Sequence, residues 1–181
     1  MKRLHTCSDI LRCLEESSPK LHALNTQSGV GWRSISTGEF LETVKNVALG
    51  LIASGLKPGD RVGILANPSG EWTVADTAIM IAGGVAVPLF GNISDENFIY
   101  ETEESELHTL FVDGSEQWAM CQRHSNRFKT IIALNDSSPV VKTVSYQEIQ
   151  ERGKKLDREQ PALYKKTREG LKSTDLAAII Y

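Results

Sequence analysis

The sequence predicts an α/β fold: an open, doubly wound, mainly parallel sheet with helices on both faces and an N-terminal hairpin. Short apolar runs alternate with segments of helical spacing, which is typical of parallel strands joined by helices. In the stretch 55–92, the apolar runs 61–66 and 85–90 enclose such a helical segment. This stretch is predicted to form one βαβ unit, on which the rest of the chain is built.

Residues 1–54 are predicted to form a short helix, a hairpin and a long helix. The hairpin is indicated by two runs, 21–26 and 30–35, on either side of a turn that contains Gly29. The long helix begins with the capping box that Ser36 opens, and apolar residues then follow on one helical face. This part of the chain leads directly into the βαβ unit.

Residues 55–135 are predicted to form the βαβ core, with four strands and the helices between them. Pro88 falls inside an apolar run, which favours an edge position or a bulge because proline has no N–H to donate. Residues 136–175 are predicted to form a charged, solvated connector with a short helix that ends near Gly153. Residues 176–181, all apolar or aromatic, have the pattern of a buried strand.

Composition excludes several classes of protein. The net charge of −3 gives no basic face for nucleic acid. No apolar run approaches the roughly 18 residues of a membrane span, and the N-terminus has no signal-peptide core. Three cysteines without CxxC spacing favour free thiols and a cytoplasmic setting.

The common catalytic and nucleotide-binding motifs are absent from the sequence, among them GxGxxG, the Walker-type phosphate loop and the GxSxG elbow. One loop is a candidate for ligand binding. Gly91 and Asn92 follow a predicted strand and precede a predicted helix, the place where open α/β sheets bind anions. A plain turn is the alternative interpretation of these two residues.

Several motifs, taken in order, resemble the N-terminal part of AMP-forming acyl-CoA synthetases, which belong to the adenylate-forming superfamily. The likeness covers nearly the whole chain. Within the superfamily, the chain resembles bacterial long-chain fatty acid–CoA ligases most. The motifs that carry it are GDRVGIL from Gly59, Asn67, Glu71-Trp72, Ala75-Asp76, GGVAVPLF from Gly83, SYQEIQERGKK from Ser145 and DLAAIIY from Asp175.

The resemblance implies a two-step reaction. A fatty acid reacts with ATP, in the presence of magnesium, to give an acyl-adenylate and pyrophosphate, and coenzyme A then displaces AMP. Gly91 matches a family position that contacts the nucleotide part of coenzyme A, whereas Asn92 replaces a second glycine. No catalytic or metal-binding residue is carried over. In the family a phosphate loop follows the strand that 176–181 resembles, so we expect the chain to be an inactive fragment that binds no cofactor tightly.

Three alternatives remain open at this point. One is an acyl–acyl-carrier-protein synthetase or another acyl- or aryl-activating ligase of the same superfamily. A second is a short, non-catalytic binding module derived from such an enzyme, and a third is a free-standing flavodoxin-like domain. The resemblance also leaves peripheral membrane association and homodimer formation open.

Overall fold

The computed structural model describes residues 4–28, 31–135 and 143–181. Among its helices, none combines the length and the apolar character that crossing a membrane requires. The strands are β1 (Leu24–Ser28), β2 (Gly31–Ile35), β3 (Arg61–Leu65), β4 (Val85–Leu89), β5 (Thr109–Val112) and β6 (Thr130–Ala133). The helices are α1 (Cys7–Glu16), α2 (Thr37–Ala53), α3 (Gly70–Ile81), α4 (Asp95–Glu104), α5 (Ser115–Arg123), α6 (Tyr146–Glu159) and α7 (Leu163–Gly170).

The main sheet has four parallel strands in the order β4-β3-β5-β6, and β1 and β2 form a separate antiparallel pair. Side chains of α1, α2, α3 and α6 cover one face of the main sheet. Side chains of α4 and α5 cover the other face. The predicted fold class, a doubly wound sheet with an N-terminal hairpin, is confirmed.

The central strand β3 is buried on both faces. Val62 and Ile64 belong to the cluster on the α2 and α3 side, whereas Leu65 belongs to the cluster under α4 and α5. Between them, Gly63 has no side chain, and a Cβ there would lie 2.7 Å from Cδ1 of Leu110. The glycine therefore leaves room for the leucines of the second cluster to pack directly on the β3 backbone.

Strand β4 lies at the edge of the four-stranded sheet, as its proline predicts. The Ala86 N–H donates to the carbonyl of Ala177 at 2.9 Å, on the side away from β3. Because backbone groups two residues apart point to the same side of a strand, the nitrogen of Pro88 also faces outward. The missing N–H of Pro88 therefore removes no hydrogen bond of the β3–β4 ladder.

The prediction of a buried strand over residues 176–181 is only partly correct. The segment runs parallel to β4, but the pairing is a single bridge between Ala178 and Ala86. Leu176 and Ile180 are 58% and 76% exposed. An apolar sequence by itself cannot show whether other elements pack on both faces of a strand. In the described part of the chain, more than half of the surface of Leu176 and of Ile180 remains exposed.

The predicted end of the α6 helix near Gly153 is wrong, because the helix continues to Glu159. Gly153 is buried within α6, where a Cβ would collide with the carbonyl oxygen of Asn46 on α2. Gly50 of α2 makes the reciprocal close approach to the backbone of Ile149. The glycine is therefore a helix-crossing residue and not a stop signal, and much of the predicted connector is helical through α6 and α7.

The hairpin is confirmed with a shifted turn. Ser28 pairs with Gly31 in β2, so β1 begins and ends later than the predicted run 21–26, whereas β2 ends at Ile35 as predicted. Residues 29–30 of the turn, like residues 136–142 of the predicted connector, lie outside the described residues. The domain boundaries given above stay a prediction.

The capping box of α2 is confirmed. The Glu39 N–H donates to Oγ of Ser36 at 3.2 Å, and the Ser36 N–H donates to Oε2 of Glu39 at 2.8 Å. Helix α2 ends before Gly55, whose φ of +98° is accessible to glycine at low cost. These local signals determine where the longest helix begins and ends.

Replacing Gly153 with alanine is expected to destabilise the protein by roughly 3 kcal/mol, because the new methyl group overpacks the crossing of α6 on α2. Urea unfolding followed by circular dichroism measures the change. The matched control is Gly38→Ala in α2, where a Cβ meets nothing within 4 Å. That variant is expected to stay within about 1 kcal/mol of the original, on the stabilising side. Equal stabilities for the two variants would contradict the tight crossing.

Candidate functional site

The topology of the main sheet places a crevice at the carboxyl ends of β3, β4 and β5. The chain leaves β3 toward α3 on one face, and it leaves β4 and β5 toward α4 and α5 on the opposite face. In open α/β sheets, ligands bind in the crevice where successive connections diverge in this way. The turn that contains Gly91 and Asn92 lies at this edge, directly after β4.

Gln117 holds the turn after β4 in place. Its side chain is 4% exposed, and Nε2 donates a hydrogen bond of 2.7 Å to the carbonyl oxygen of Gly91. The carboxamide also fills the space that a Cβ on Gly114 would need, and Gly114 has a φ of +102°. Gln117 therefore ties the β4–α4 turn to the start of α5. No sequence motif indicates this contact, because the two residues are 26 positions apart.

Two amide side chains pack closely against Gly91. A Cβ at this position would lie 2.8 Å from Oδ1 of Asn67 and 3.0 Å from Nε2 of Gln117. The sequence resemblance attributes this glycine to close approach by coenzyme A. The structure supplies a second reason for it, namely the convergence of two amide side chains, Asn67 from the β3–α3 loop and Gln117 from α5, on the same turn.

Asn92 is exposed on the outer side of the turn. The turn is closed by a hydrogen bond of 3.1 Å from the Ile93 N–H to the carbonyl of Phe90. Within the described part of the chain, Asn92 forms no hydrogen bond. Its backbone N–H and its carboxamide are therefore available to a ligand with phosphate oxygens.

The carboxylate of Asp95 lies at the N-terminus of α4, next to this turn. Asp95 accepts hydrogen bonds from Nε and Nη2 of Arg123 at 3.1 and 2.9 Å, and its Oδ1 lies 2.7 Å from Nε2 of His124. These hydrogen bonds, Arg123 first and then His124, lower the pKa of Asp95. A ligand anion on the axis of α4 would compete with Asp95, so the outer side of the turn is the more favourable place.

A polar cleft of about 590 Å³ lies at the same edge of the sheet, between the hairpin, the β3–α3 loop and α6. Arg33 forms an ion pair with Glu71, Nδ2 of Asn135 donates to Asp113, and Nζ of Lys154 lies 2.8 Å from Glu151. Two of these contacts are ion pairs, whereas the Asp113 carboxylate is bonded to a neutral amide. The other lining residues are Thr26, Gln27, Ser69, Leu134, Tyr146, Gln147 and Gln150.

Neither the cleft nor the turn contains a recognisable catalytic arrangement. In residues 4–28, 31–135 and 143–181, no group of three or more His, Cys, Asp or Glu side chains is placed to hold a metal ion. The hairpin contributes a positioning contact, since Oγ1 of Thr26 accepts a hydrogen bond of 2.8 Å from the Gly70 N–H at the start of α3. Among the hydrogen-bond donors at this edge, Asn92 is exposed and lies on the β4–α4 turn.

The lowered pKa of Asp95 predicts an acid-dependent contribution to stability. Because the folded-state pKa lies below the unfolded value of about 3.9, the contribution is complete above that value and is lost as the pH falls through the folded pKa. The stability gap between the original chain and Asp95→Asn is therefore expected to be largest near neutral pH and to shrink as the pH falls through the lowered folded-state pKa. Urea unfolding over a pH series measures this gap.

The control for the Asp95 variant is Glu96→Gln. Glu96 is exposed and lies in the same first turn of α4, so it shares any effect of the helix dipole. A pH-dependent gap of equal size in both variants would show that the contacts of Asp95 with Arg123 and His124 contribute nothing specific.

Comparison with known proteins identifies the family. The family described as "AMP-binding enzyme" matches residues 15–181. The long-chain-fatty-acid–CoA ligase FadD15 of Mycobacterium tuberculosis is 29% identical over 153 residues, which are 83% of this chain and 24% of the relative. Long chain acyl-CoA synthetase 8 of Arabidopsis thaliana is 29% identical over 117 residues, which are 65% of this chain and 14% of the relative. The chain thus spans about a quarter or less of the length of these two curated relatives.

Solved structures show the same fold. A benzoate CoA ligase from Burkholderia xenovorans superposes with a TM-score of 0.62 at 18% identity, over 82% of this chain and 28% of that chain. Apo MatB from Rhodopseudomonas palustris superposes with a TM-score of 0.59 at 21% identity, over 96% of this chain and 32% of that chain. The resemblance seen in the sequence motifs is confirmed, and because the family match covers nearly the whole chain, this protein belongs to the AMP-binding enzyme family.

Proposed function

We propose that this chain is the N-terminal part of an adenylate-forming ligase that converts long-chain fatty acids to acyl-CoA. The observation that carries the proposal is the family match over residues 15–181, together with the similarity to a long-chain-fatty-acid–CoA ligase over 153 residues. In this reaction the fatty acid carboxylate attacks the α-phosphorus of ATP and pyrophosphate leaves. The thiolate of coenzyme A then attacks the acyl carbonyl, and AMP leaves.

The described residues do not fit ATP and magnesium. They contain no cluster of acidic or histidine side chains for a metal ion. The loops at the carboxyl edge, such as Asn67–Pro68 and Asp113–Gly114, have no run of glycine and hydroxyl residues ending in a lysine. We therefore assign no step of the adenylation to this chain, and the 181 residues alone are expected to be inactive.

Coenzyme A fits the outer side of the β4–α4 turn better. When bound, coenzyme A supplies the thiol that accepts the acyl group. The chain's own contribution is to bind and orient its nucleotide part, with the N–H and carboxamide of Asn92 as donors to phosphate oxygens. Gln117 donates a hydrogen bond of 2.7 Å to the Gly91 carbonyl and so positions the turn for this contact. The Gly91–Asn92 turn is thus the proposed contact for coenzyme A.

The proposed inactivity of the chain alone has a direct test. Pyrophosphate release is measured with ATP, magnesium and palmitate, for the purified 181-residue chain and for the full reading frame that contains it. No release above the fatty acid-free blank is expected from the chain. Fatty acid-dependent release, with coenzyme A as acyl acceptor, is expected from the longer protein. Fatty acid-dependent release by the chain itself would refute its inactivity.

The acyl acceptor tests the rest of the proposal in the longer protein. Transfer to acyl carrier protein in place of coenzyme A would support the alternative ligase class. If the reading frame ends at Tyr181, the alternative of a short binding module replaces the enzyme.

The contact with coenzyme A is tested in the longer protein with Asn92→Asp. A carboxylate on the turn repels the phosphates of coenzyme A, so the KM for coenzyme A is expected to rise roughly fivefold, with the KM for ATP unchanged. The matched control is Asn126→Asp, the same change at an exposed residue in the short helix Ser125–Arg127 before β6. Equal KM values for coenzyme A in both variants would exclude the turn as a contact.

A further inference from the structure

A polar pocket lies at the amino edge of the sheet, the edge opposite to the β4–α4 turn. It is lined by the turn that follows α2, by the first residues of β3, β5 and β6, and by the residues just before β5 and β6. Its volume is about 430 Å³, within the range of about 300–1,000 Å³ that small-molecule sites occupy. The pocket is therefore large enough for a compact ligand.

The guanidinium group of Arg61, at the start of β3, is incompletely hydrogen-bonded in this pocket. Its Nε is buried and has no acceptor among the described residues. Its Nη1 lies 3.7 Å from Oε2 of Glu106, which is beyond hydrogen-bond distance. A buried donor without an acceptor is unfavourable, so an anion that reaches this guanidinium group would stabilise it.

Two lysines add positive charge to the same pocket. Lys57 lies in the turn after α2, and Lys129 directly precedes β6. Within residues 4–28, 31–135 and 143–181, neither ammonium group has a hydrogen bond or an ion pair. Because both side chains are exposed, they can turn toward a ligand without breaking a contact.

The carboxylates at the pocket do not neutralise these cations. Asp60 accepts a hydrogen bond of 2.9 Å from the backbone N–H of Lys57, which closes the turn. The side chain of Glu106 is 70% exposed, so water and salt screen its charge. The carbonyls at the end of α2, at residues 50–52, already accept backbone N–H groups. The excess charge is positive and complements an anionic ligand.

Two hydroxyl groups lie next to these cations. Thr109 and Thr130 are paired neighbours in the parallel register, so their side chains lie on the same face of the sheet. That face is turned toward α2, because Val62, the partner of Thr109, belongs to the cluster on that side. Arginine, lysine and hydroxyl donors together match the several oxygen acceptors of a phosphate group.

We propose that this pocket binds a small phosphate monoester. Arg61, Lys57 and Lys129 surround the phosphate, and the threonine hydroxyls donate to its oxygens. The pocket exceeds the volume of an inorganic phosphate ion, so the remaining space holds a compact organic body. Binding at this edge involves no atom of the β4–α4 turn, and it is therefore independent of the proposed contact with coenzyme A.

The probe is glycerol 2-phosphate, titrated into the 181-residue chain at constant ionic strength, with sodium chloride as the matched salt. The Nε–H resonance of Arg61 and the amide resonances of Thr109 and Thr130 report on the pocket, since these residues line it. Saturable shifts with a Kd of about 1 mM or lower are expected, and none with chloride. Inorganic phosphate is expected to bind roughly threefold more weakly, because it lacks the organic body.

Two pairs of variants separate the pocket from the general surface. Lys129→Gln is expected to weaken binding roughly fivefold, whereas Lys155→Gln, the same change at an exposed lysine of α6 outside the pocket, leaves it within about twofold. Arg61→Gln is expected to weaken binding roughly tenfold, and its control is Arg158→Gln, also exposed on α6. Arg61 is half-buried, so if its variant does not fold, the exposed lysine pair decides the question.

Several results would overturn the assignment. The same shifts with sodium chloride would mean that screening alone causes them. Equal losses in a variant and its control would show binding to general surface charge. Inorganic phosphate binding as tightly as the monoester would mean that the pocket holds only the free ion, and the absence of a saturable shift up to about 20 mM would exclude a site. None of these results bears on the proposed ligase function, which is measured by pyrophosphate release.

Discussion

Strand β3 has to be covered on both of its faces, and much of the structure follows from this constraint. Val62, Ile64 and Leu65 are each at most 1% exposed. A parallel strand without a polar face is stable only between two layers of helices. The chain meets this requirement by placing α2 and α3 on one side of the sheet and α4 and α5 on the other. The change of side after β3 is also what creates the crevice at the carboxyl edge.

The layer on the α2 side depends on two glycines that are far apart in sequence. Gly50 and Gly153 allow α2 and α6 to approach until backbone meets backbone. The crossing is extended by an ion pair in which Nζ of Lys45 lies 2.6 Å from Asp157. This packing holds α6 against α2, and with it the residues of α6 that line the polar cleft.

The two edges of the sheet have different chemistry. At the carboxyl edge, polar side chains hold the loops by hydrogen bonds: Gln117 donates to the backbone carbonyl of Gly91, and Asn135 donates to the carboxylate of Asp113. At the amino edge, the arginine and the lysines of the pocket beside the end of α2 have no hydrogen-bonded carboxylate in the described part of the chain. A positioned polar turn is what the proposed contact with coenzyme A requires.

The sequence by itself determined the fold class, the order of the strands and helices through β6, the capping box of α2 and the family, and it limited the strand with Pro88 to an edge position or a bulge. These features depend on residues close together in the chain, where period, turn chemistry and proline act locally. Only the tertiary structure decided that Gly153 is a crossing residue, that residues 176–181 are largely exposed, and that Gln117 and Asn67 converge on Gly91. Each of these depends on contacts between residues separated by many positions. Local periodicity has no information about such partners, because the energy of a buried glycine or carboxamide is set by the atoms that the fold brings against it.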